Sequence, residues 1–366
     1  MTFLFIFIVL YSIKIFRYYI GWKKLFRSTD LNFTPNVSVV IALRNEEKEI
    51  NNLLSSLKEQ DYPSDLIQFI LVNDHSTDNT SKLLLAEKLD NFKIVDMAEG
   101  EFGKKQAIAK GIRLAEGDII ITSDADCTFN NRWIRTMVSY FHDEGINLVA
   151  GPVRLDNRSG IFHVFQNLEF FSLIGSGAGA IGQGNAIFCN AANMAYRKNI
   201  FLELDIFSDD KIISGDDVFL LHSIKRISPQ GILFAKQNPA IVETKGVENL
   251  REFINQRKRW TAKSIHYKDF DALYTSFLIF FTNLLGVILV ILSIIDINFL
   301  FYTVVYFLIK FIIDLLFLIP VIKFFKRQEL IRWILPFQII YALYVVLIVV
   351  LSFTNNFEWK GRKHTR

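Results

Sequence analysis

Four apolar runs constrain this 366-residue chain more than any other feature of its sequence. One lies at the N-terminus and three lie near the C-terminus, and a long block of mixed composition separates them. The runs are Thr2–Phe16 with a continuation to Trp22, Ala272–Ile295, Phe299–Ile322 and Trp333–Phe353. A helix that crosses the hydrocarbon core of a bilayer needs about 20 apolar residues. We therefore expect an N-terminal transmembrane anchor over 1–27 and membrane helices over 271–355.

The composition supports a membrane-embedded chain and excludes several other classes of protein. The 51% hydrophobic content and the 35 phenylalanines exceed what a soluble core requires. A formal net charge of +4 is too small to indicate nucleic-acid binding, although it suits a surface that lies on anionic lipid. Cys127 and Cys189 are the only cysteines, which excludes a disulfide framework and a cysteine-rich zinc site. A reducing, cytoplasmic setting is therefore expected for the block between the runs.

The distribution of basic residues predicts which side of the membrane this block faces. Arg17, Lys23, Lys24 and Arg27 follow the first run, so it is expected to be an uncleaved anchor whose N-terminus is outside. The middle block and the basic loop 323–332 then lie in the cytoplasm. The basic tail, residues 356–366, falls outside, against the positive-inside rule. Either one run lies along the membrane or the tail is an exception.

Two ionisable residues interrupt the second C-terminal run. Lys310 and Asp314 are four residues apart and therefore share one face of a helix. A charged side chain is costly to expose to lipid. We expect the two side chains to pair within the helix bundle.

Between residues 36 and 245, short apolar runs alternate with helix-like stretches. This alternation predicts a mostly parallel sheet wrapped by helices. The strands are expected at Val37–Leu43, Ile67–Asp74, Lys93–Met97 and Asp118–Asp126, and the first helix at Glu46–Gln60. In such sheets ligands bind beyond the carboxyl ends of the strands. Arg44, Asp74, Asp124 and Asp126 all fall at such ends, which indicates a binding site there.

Six motifs in this block resemble one enzyme family. In order they are "VSVVIALRNEE", "ILVNDHSTDNT", "GKKQAIAKGI", "TSDADC", "SGDDVFLL" and "QRKRW". The chain resembles the family 2, inverting, nucleotide-sugar glycosyltransferases with the GT-A fold. In kind it is similar to the membrane-embedded branch that includes cellulose, chitin and hyaluronan synthases and ceramide glucosyltransferase. The resemblance implies an α/β, Rossmann-like GT-A domain over 36–245 on the cytoplasmic side, with one N-terminal and about three C-terminal transmembrane helices.

The resemblance implies how the donor is bound. A UDP-sugar would contact the nucleotide-sugar-binding residues Arg44, Glu46, Asp74, Lys104, Asp124 and Arg259. Asp74 would accept from the N–H of a uracil ring, and Lys105 competes with Lys104 for the diphosphate or base contact. Asp126 would ligate Mg²⁺ or Mn²⁺, and Asp124 would share the ion or hold the ribose. Residues two apart on a strand point the same way, so both aspartates can reach one ion. The alternative for these aspartates is turn capping.

The last two motifs carry the expected acceptor chemistry. An inverting transfer needs a base opposite the leaving group, and Asp217 aligns with that base, with Asp216 beside it. A like charge next to Asp217 would raise the pair's apparent pKa. The alternative is a helix N-terminus that favours two acids. In "QRKRW", Arg259 would grip the diphosphate, and Gln256 and Trp260 would contact the acceptor. Residues 246–270 would lie on the bilayer surface, for which an interfacial anchor is the alternative.

The sequence thus predicts a metal-dependent, membrane-bound inverting glycosyltransferase of the cell envelope. Its partners would be a nucleotide-sugar donor, a lipid or short glycan acceptor and the bilayer, with no nucleic acid. Processive polysaccharide synthesis is the alternative within the same enzyme class. A non-catalytic membrane scaffold with a decayed nucleotide-binding domain is the alternative outside it. The presence of Asp124, Asp126, Asp217 and Arg259 argues against decay.

Overall fold

The chain forms two compact units. The computed structural model describes residues 2–26, 28–86, 90–204, 216–264, 266–353, 356–359 and 362–365. Residues 21–156 and 180–245 form one unit, here called the sheet unit. Residues 1–20, 157–179 and 246–366 form the other, here called the helical unit.

The strands of the sheet unit build one large and one small sheet. In chain order the strands are β1 (Val37–Leu43), β2 (Ile67–Asn73), β3 (Phe92–Asp96), β4 (Ile119–Asp124), β5 (Thr128–Phe129), β6 (Leu148–Ala150), β7 (Val153–Leu155), β8 (Met194–Arg197), β9 (Ile232–Phe234) and β10 (Val242–Thr244). The large sheet has the order β3-β2-β1-β4-β8-β6-β9, and the small sheet has the order β5-β10-β7.

Helices surround the large sheet and make up most of the helical unit. In chain order they are α1 (Thr2–Lys24), α2 (Ile50–Lys58), α3 (Thr80–Leu85), α4 (Lys104–Arg113), α5 (Trp133–Val138), α6 (Ile161–Ile181), α7 (Lys198–Leu204), α8 (Asp216–Ile227), α9 (Leu250–Ser264), α10 (Phe270–Ile295), α11 (Leu300–Phe324) and α12 (Ile334–Ser352). Near the C-terminus, β11 (Asn356–Trp359) pairs antiparallel with β12 (Arg362–Thr365).

The predicted parallel sheet is confirmed, and its strands lie close to the predicted bounds. β1 pairs in parallel with β2 on one side and β4 on the other, so that Val37 lies opposite both Ile67 and Ile119. These strands are almost continuously apolar and buried, as expected for strands covered on both faces. The chain runs from β1 through β2 to β3, and then returns to β4 on the other side of β1. This reversal creates a crevice at the carboxyl ends of β1 and β4, where sheets of this type bind ligands.

Helix α2 begins at Ile50, four residues later than the apolar spacing predicts. The backbone N–H groups of the preceding residues donate to side chains of the segment 76–80, which follows β2 and includes the first residue of α3. Asn45 donates to Ser76 Oγ at 3.0 Å, Glu46 to Thr80 Oγ1 at 2.7 Å and Glu47 to Asp78 Oδ2 at 3.1 Å. This loop-to-loop bonding fixes the segment after β1, which carries two of the predicted donor contacts.

Four helices of the described residues are long and apolar enough to cross a membrane. The candidate spans are Phe5–Lys24, Phe270–Ile295, Ile297–Phe324 and Gln328–Ser352, which agree with the four predicted runs. The chain is therefore a multi-pass membrane protein with one N-terminal and three C-terminal apolar helices. Which side the sheet unit faces stays a prediction.

The predicted ion pair within the bundle is present. Lys310 Nζ lies 2.6 Å from Asp314 Oδ2, and both residues are buried. Tyr11 Oη of α1 donates to Asp314 Oδ1 at 2.6 Å. Gln338 of α12 donates to Asp314 Oδ2 at 3.1 Å and accepts from Lys310 at 3.2 Å. One polar network thus joins α1, α11 and α12.

Glycine allows α6 to pack closely within the helical unit. A Cβ atom at Gly175 would lie 2.9 Å from a methyl group of Val321 on α11, and one at Gly179 would lie 2.9 Å from the Cβ atom of Tyr18 on α1. Val321 is fully buried, so it has little room to move aside. At these two positions, close helix packing accounts for the glycine-rich sequence.

Candidate active site

The loop after β1 is held against the end of β2. Arg44 Nη1 donates to the carbonyl oxygen of Asp74 at 2.7 Å and to that of His75 at 3.3 Å. The Asp74 carboxylate lies 3.9 Å from the same nitrogen. Two of the predicted donor contacts, Arg44 and Asp74, are therefore neighbours at the carboxyl edge of the sheet.

Asp74 also fixes the start of helix α4. Its side chain is buried, with 3% exposed, and its Oδ2 atom accepts from the backbone N–H of Gly103 at 3.0 Å. Gly103 has a φ of +97°, a conformation that favours glycine. The bond places Lys104, the first residue of α4, beside the ends of the strands.

Lys104 reaches across to the end of β4. Its ammonium group forms an ion pair with Asp124 Oδ1, and both side chains are partly exposed. The structure thus brings together a predicted diphosphate contact and a predicted metal or ribose contact.

Asp126 lies just beyond Asp124 in a different electrostatic setting. Its Oδ2 atom accepts from Thr244 Oγ1 of β10 at 3.1 Å. Among the described residues no cation lies within 4.0 Å of its carboxylate. Burial raises the pKa of Asp126, and the neighbouring Asp124 carboxylate raises it further. A cation at this position would relieve both effects.

The predicted base is held by backbone groups at the start of α8. Asp217 Oδ2 accepts from the N–H of Ala191 at 3.1 Å, and Oδ1 accepts from the N–H of Val218 at 2.9 Å. Next to Ala191, the carbonyl of Ala192 accepts from Ser123 Oγ of β4 at 2.7 Å. The segment around Ala191 therefore connects Asp217 to the strand that ends in Asp124. The Asp216 side chain lies outside the described part of the chain, as do Ser214 and Gly215.

The remaining predicted residues lie in the helical unit, on α9. Gln256, Arg259 and Trp260 are half-buried. Between them lies Arg257, which the sequence analysis did not select and which is 3% exposed. Arg257 pairs with Glu169 of α6 at 2.5 Å. Glu169 is the only acid in the apolar segment Ile161–Ile181. An acid in such a segment needs a cationic partner, so the sequence could have predicted a buried ion pair at this position.

The donor set at the sheet edge fits a divalent cation of the Mg²⁺ type. Among the described residues no group of three or more His, Cys, Asp and Glu side chains could hold a metal ion. Mg²⁺ commonly binds through one or two carboxylates and completes its shell with phosphate oxygens and water. Two carboxylates, one of them with a raised pKa, meet that requirement. Asp126, with Asp124, would hold the ion.

Comparison with solved structures defines the class of fold. The chain is similar to the mannosyltransferase PcManGT from Pyrobaculum calidifontis in complex with GDP-Man and Mn²⁺, with a TM-score of 0.53 at 19% identity. The match covers 71% of this chain and 70% of that one. The fold is therefore that of the GT-A glycosyltransferases, as predicted.

Sequence comparison then finds a family match within the chain. Residues 38–205 match the model of glycosyl transferase family 2. Poly-beta-1,6-N-acetyl-D-glucosamine synthase of Staphylococcus epidermidis is 29% identical over 186 residues, which cover 49% of this chain and 44% of that protein. The synthase of Staphylococcus aureus strain COL is 30% identical over 200 residues, which cover 50% and 48% respectively. The match spans less than half the length of each of these relatives.

Proposed function

We propose that this chain is a membrane-bound inverting glycosyltransferase that moves a sugar from a UDP-sugar to a lipid or short glycan acceptor. One observation carries the proposal: Asp74, Lys104, Asp124 and Asp126 converge at the crevice where the strand order reverses. The family 2 domain over 38–205 supports the reaction class. Asp74 is the residue that the resemblance assigns to the uracil ring.

The donor diphosphate would bind where the chain offers both a lysine and a carboxylate pair. Lys104 can move from Asp124 to a phosphate oxygen, since its ammonium group is a flexible point charge. Asp126 and Asp124 would hold Mg²⁺ or Mn²⁺. The ion supplies Lewis acidity that offsets the charge gained by the departing nucleoside diphosphate. PcManGT, which shares the fold, was solved with Mn²⁺ and a nucleotide sugar.

Asp217 would take the proton from the acceptor hydroxyl. Its carboxylate is oriented by two backbone N–H groups, which leaves the remaining oxygen lone pairs to accept the proton. Attack by the deprotonating hydroxyl on the face opposite the leaving nucleotide inverts the anomeric centre. Gln256, Arg259 and Trp260 lie in the helical unit, and the acceptor and diphosphate roles that the resemblance implies for them stay predictions.

Processive polymer synthesis is the second candidate. It is favoured by the sequence similarity of this chain to two poly-beta-1,6-N-acetyl-D-glucosamine synthases. The two candidates share the donor site and differ in the product. Product size therefore separates them.

The deciding experiment is a donor and product screen on the purified full chain. The protein is incubated with radiolabelled UDP-sugars and GDP-sugars, membrane lipid extract, and Mg²⁺, Mn²⁺ or EDTA. We expect transfer from a UDP-sugar that EDTA abolishes, into a product that partitions with lipid; a long polymer would support the second candidate. Asp126→Ala should abolish transfer, while the exposed Asp65→Ala serves as the matched control. If the folded wild-type protein uses none of these donors, the result would support the alternative of a non-catalytic scaffold with a decayed nucleotide-binding domain.

The cytoplasmic placement of the sheet unit is tested separately. Nucleotide sugars are made in the cytoplasm, so the donor site must face it. A reporter fused after Arg27 should be active only as a cytoplasmic marker. An extracytoplasmic signal would overturn the orientation, and a second reporter after Arg366 locates the basic tail.

A further inference from the structure

A buried ion pair in the helical unit contacts two of the residues to which the resemblance assigns an acceptor role. Arg257 of α9 and Glu169 of α6 are each 4% exposed at the side chain. Arg257 Nε lies 2.9 Å from Glu169 Oε1, and Nη2 lies 2.5 Å from Oε2. Two parallel bonds of this kind fix the plane of the guanidinium group as well as its position.

A third helix completes the charge pair. Tyr344 Oη of α12 donates to Glu169 Oε1 at 3.0 Å. Burying two charges is costly unless each polar atom is satisfied, and breaking one side leaves an uncompensated charge. Glu169 and Tyr344 therefore hold Arg257 in one orientation.

Arg257 also contacts three residues of its own helix. Its Nη1 atom donates to Gln256 Oε1. Since that oxygen is the acceptor of the amide, the Nε2 hydrogens of Gln256 remain as donors for another partner. The guanidinium carbon also lies 4.2 Å from the centre of the Trp260 ring and 4.6 Å from that of Phe253. One face of Trp260 is therefore covered by a cation, and an acceptor can use only the other face.

We propose that Arg257 is the positioning residue of the acceptor site, and that Glu169 and Tyr344 hold it in place. It sets Gln256 as a hydrogen-bond donor and fixes which face of Trp260 a sugar or hydroxylated head group can contact. The inference rests on the proposed function, because Gln256 and Trp260 act on an acceptor only if the chain transfers sugar. In this role Arg257 acts through Gln256 and Trp260 and not on the donor or acceptor itself.

The test compares Arg257→Lys with Arg251→Lys in the full chain. Lysine keeps the charge but loses the paired bonds and the planar contact with Trp260. Arg251 is exposed on the same helix and is the matched control. Three quantities are measured: sugar transferred to membrane lipid extract, sugar released to water from the same UDP-sugar, and UDP affinity in Mn²⁺ by calorimetry.

We expect Arg257→Lys to lower transfer by about 10- to 100-fold, because a small misplacement of a positioning group costs this much. Release to water and UDP affinity should change less than about twofold, since the acceptor alone is misplaced. Tyr344→Phe, which removes one hydroxyl, should shift the ratio of transfer to release in the same direction by a smaller factor. If Arg257→Lys does not fold, the ratio of transfer to release in Tyr344→Phe tests the inference instead, and an unchanged ratio would overturn it.

A mutant cycle in a background that carries both Gln256→Ala and Trp260→Ala separates positioning from a merely structural role. If Arg257 acts through these two residues, Arg257→Lys should lower transfer less than about threefold further in that background. Independent, multiplying losses would overturn the inference while leaving the proposed function intact, as would a parallel fall in transfer, release and UDP affinity. A folded wild type that transfers no sugar would instead overturn the proposed function, and the inference with it.

Discussion

The carboxylates of the two units differ in how their charge is balanced. In the helical unit, Asp314 and Glu169 each have a cation within 2.6 Å and a tyrosine hydroxyl within 3.0 Å. In the sheet unit, Asp126 has a hydroxyl partner but, among the described residues, no cation within 4.0 Å. Burial and Asp124 therefore raise its pKa.

This difference separates carboxylates that are neutralised by the fold itself from a carboxylate that a bound cation could neutralise. Where a carboxylate is buried and water cannot reach it, the fold must supply the counter-charge itself. At the edge of the sheet the counter-charge can come from a ligand, and groups with perturbed pKa values collect at such sites. The comparison assigns Asp314 and Glu169 to the architecture and Asp126 to the proposed chemistry.

Replacing Asp217 tests the chemistry most strongly. Asp217→Asn keeps the shape of the side chain and removes its basicity. Loss of a general base typically lowers the rate by 10² to 10⁴, roughly 3 to 5 kcal/mol of barrier. UDP affinity in Mg²⁺ or Mn²⁺ should change little when measured by calorimetry, and product formation gives the rate.

Asp126→Asn is the comparison variant for that measurement, and there nucleotide and metal affinity should fall together with turnover. Near-normal turnover in Asp217→Asn would show that "SGDDVFLL" does not carry the base. A loss of UDP affinity as large as that of Asp126→Asn would show the same.

Replacing Asp314 tests the architectural side of the comparison. Asp314→Leu leaves Lys310 charged and buried without its partner, which should lower the free energy of unfolding by about 3 to 5 kcal/mol. Lys310→Met with Asp314→Leu removes both charges and should cost less than the single change. Thermal unfolding in detergent gives both values, and a larger loss in the double variant would contradict the assignment.

The smallest expected effect is a gain in stability, whereas Asp314→Leu is expected to cause a loss. Because the pKa of Asp126 is raised above the ordinary 3.8, the ionised carboxylate destabilises the metal-free fold. This cost is present at neutral pH and disappears as the pH falls through the raised pKa. Asp126→Asn should therefore raise the melting temperature in EDTA at pH 7 by a few degrees, and by less near pH 4. Destabilisation at pH 7 would place Asp126 with Asp314 as an architectural residue.

Most of the helices and strands could be predicted because the patterns that indicate them lie within short stretches of sequence. The membrane helices follow from run length, and β1, β2 and β4 follow from short apolar runs that end in polar residues. The start of α2 was predicted too early, and the segment before it is fixed by bonds to Ser76, Thr80 and Asp78, about 30 residues away. Apolar spacing carries no information about such bonds.

For the candidate site, the sequence by itself determined which residue types stand at the ends of which strands. It also determined the pairing of Lys310 with Asp314, since both lie on one helical turn. Only the tertiary structure decided that Lys104 pairs with Asp124, that Thr244 bonds Asp126, and that Glu169 fixes Arg257 across 88 positions of sequence. The physical reason is that a charge is neutralised by whichever group lies within a few ångströms, and that neighbour is chosen by packing between elements rather than by position in the chain.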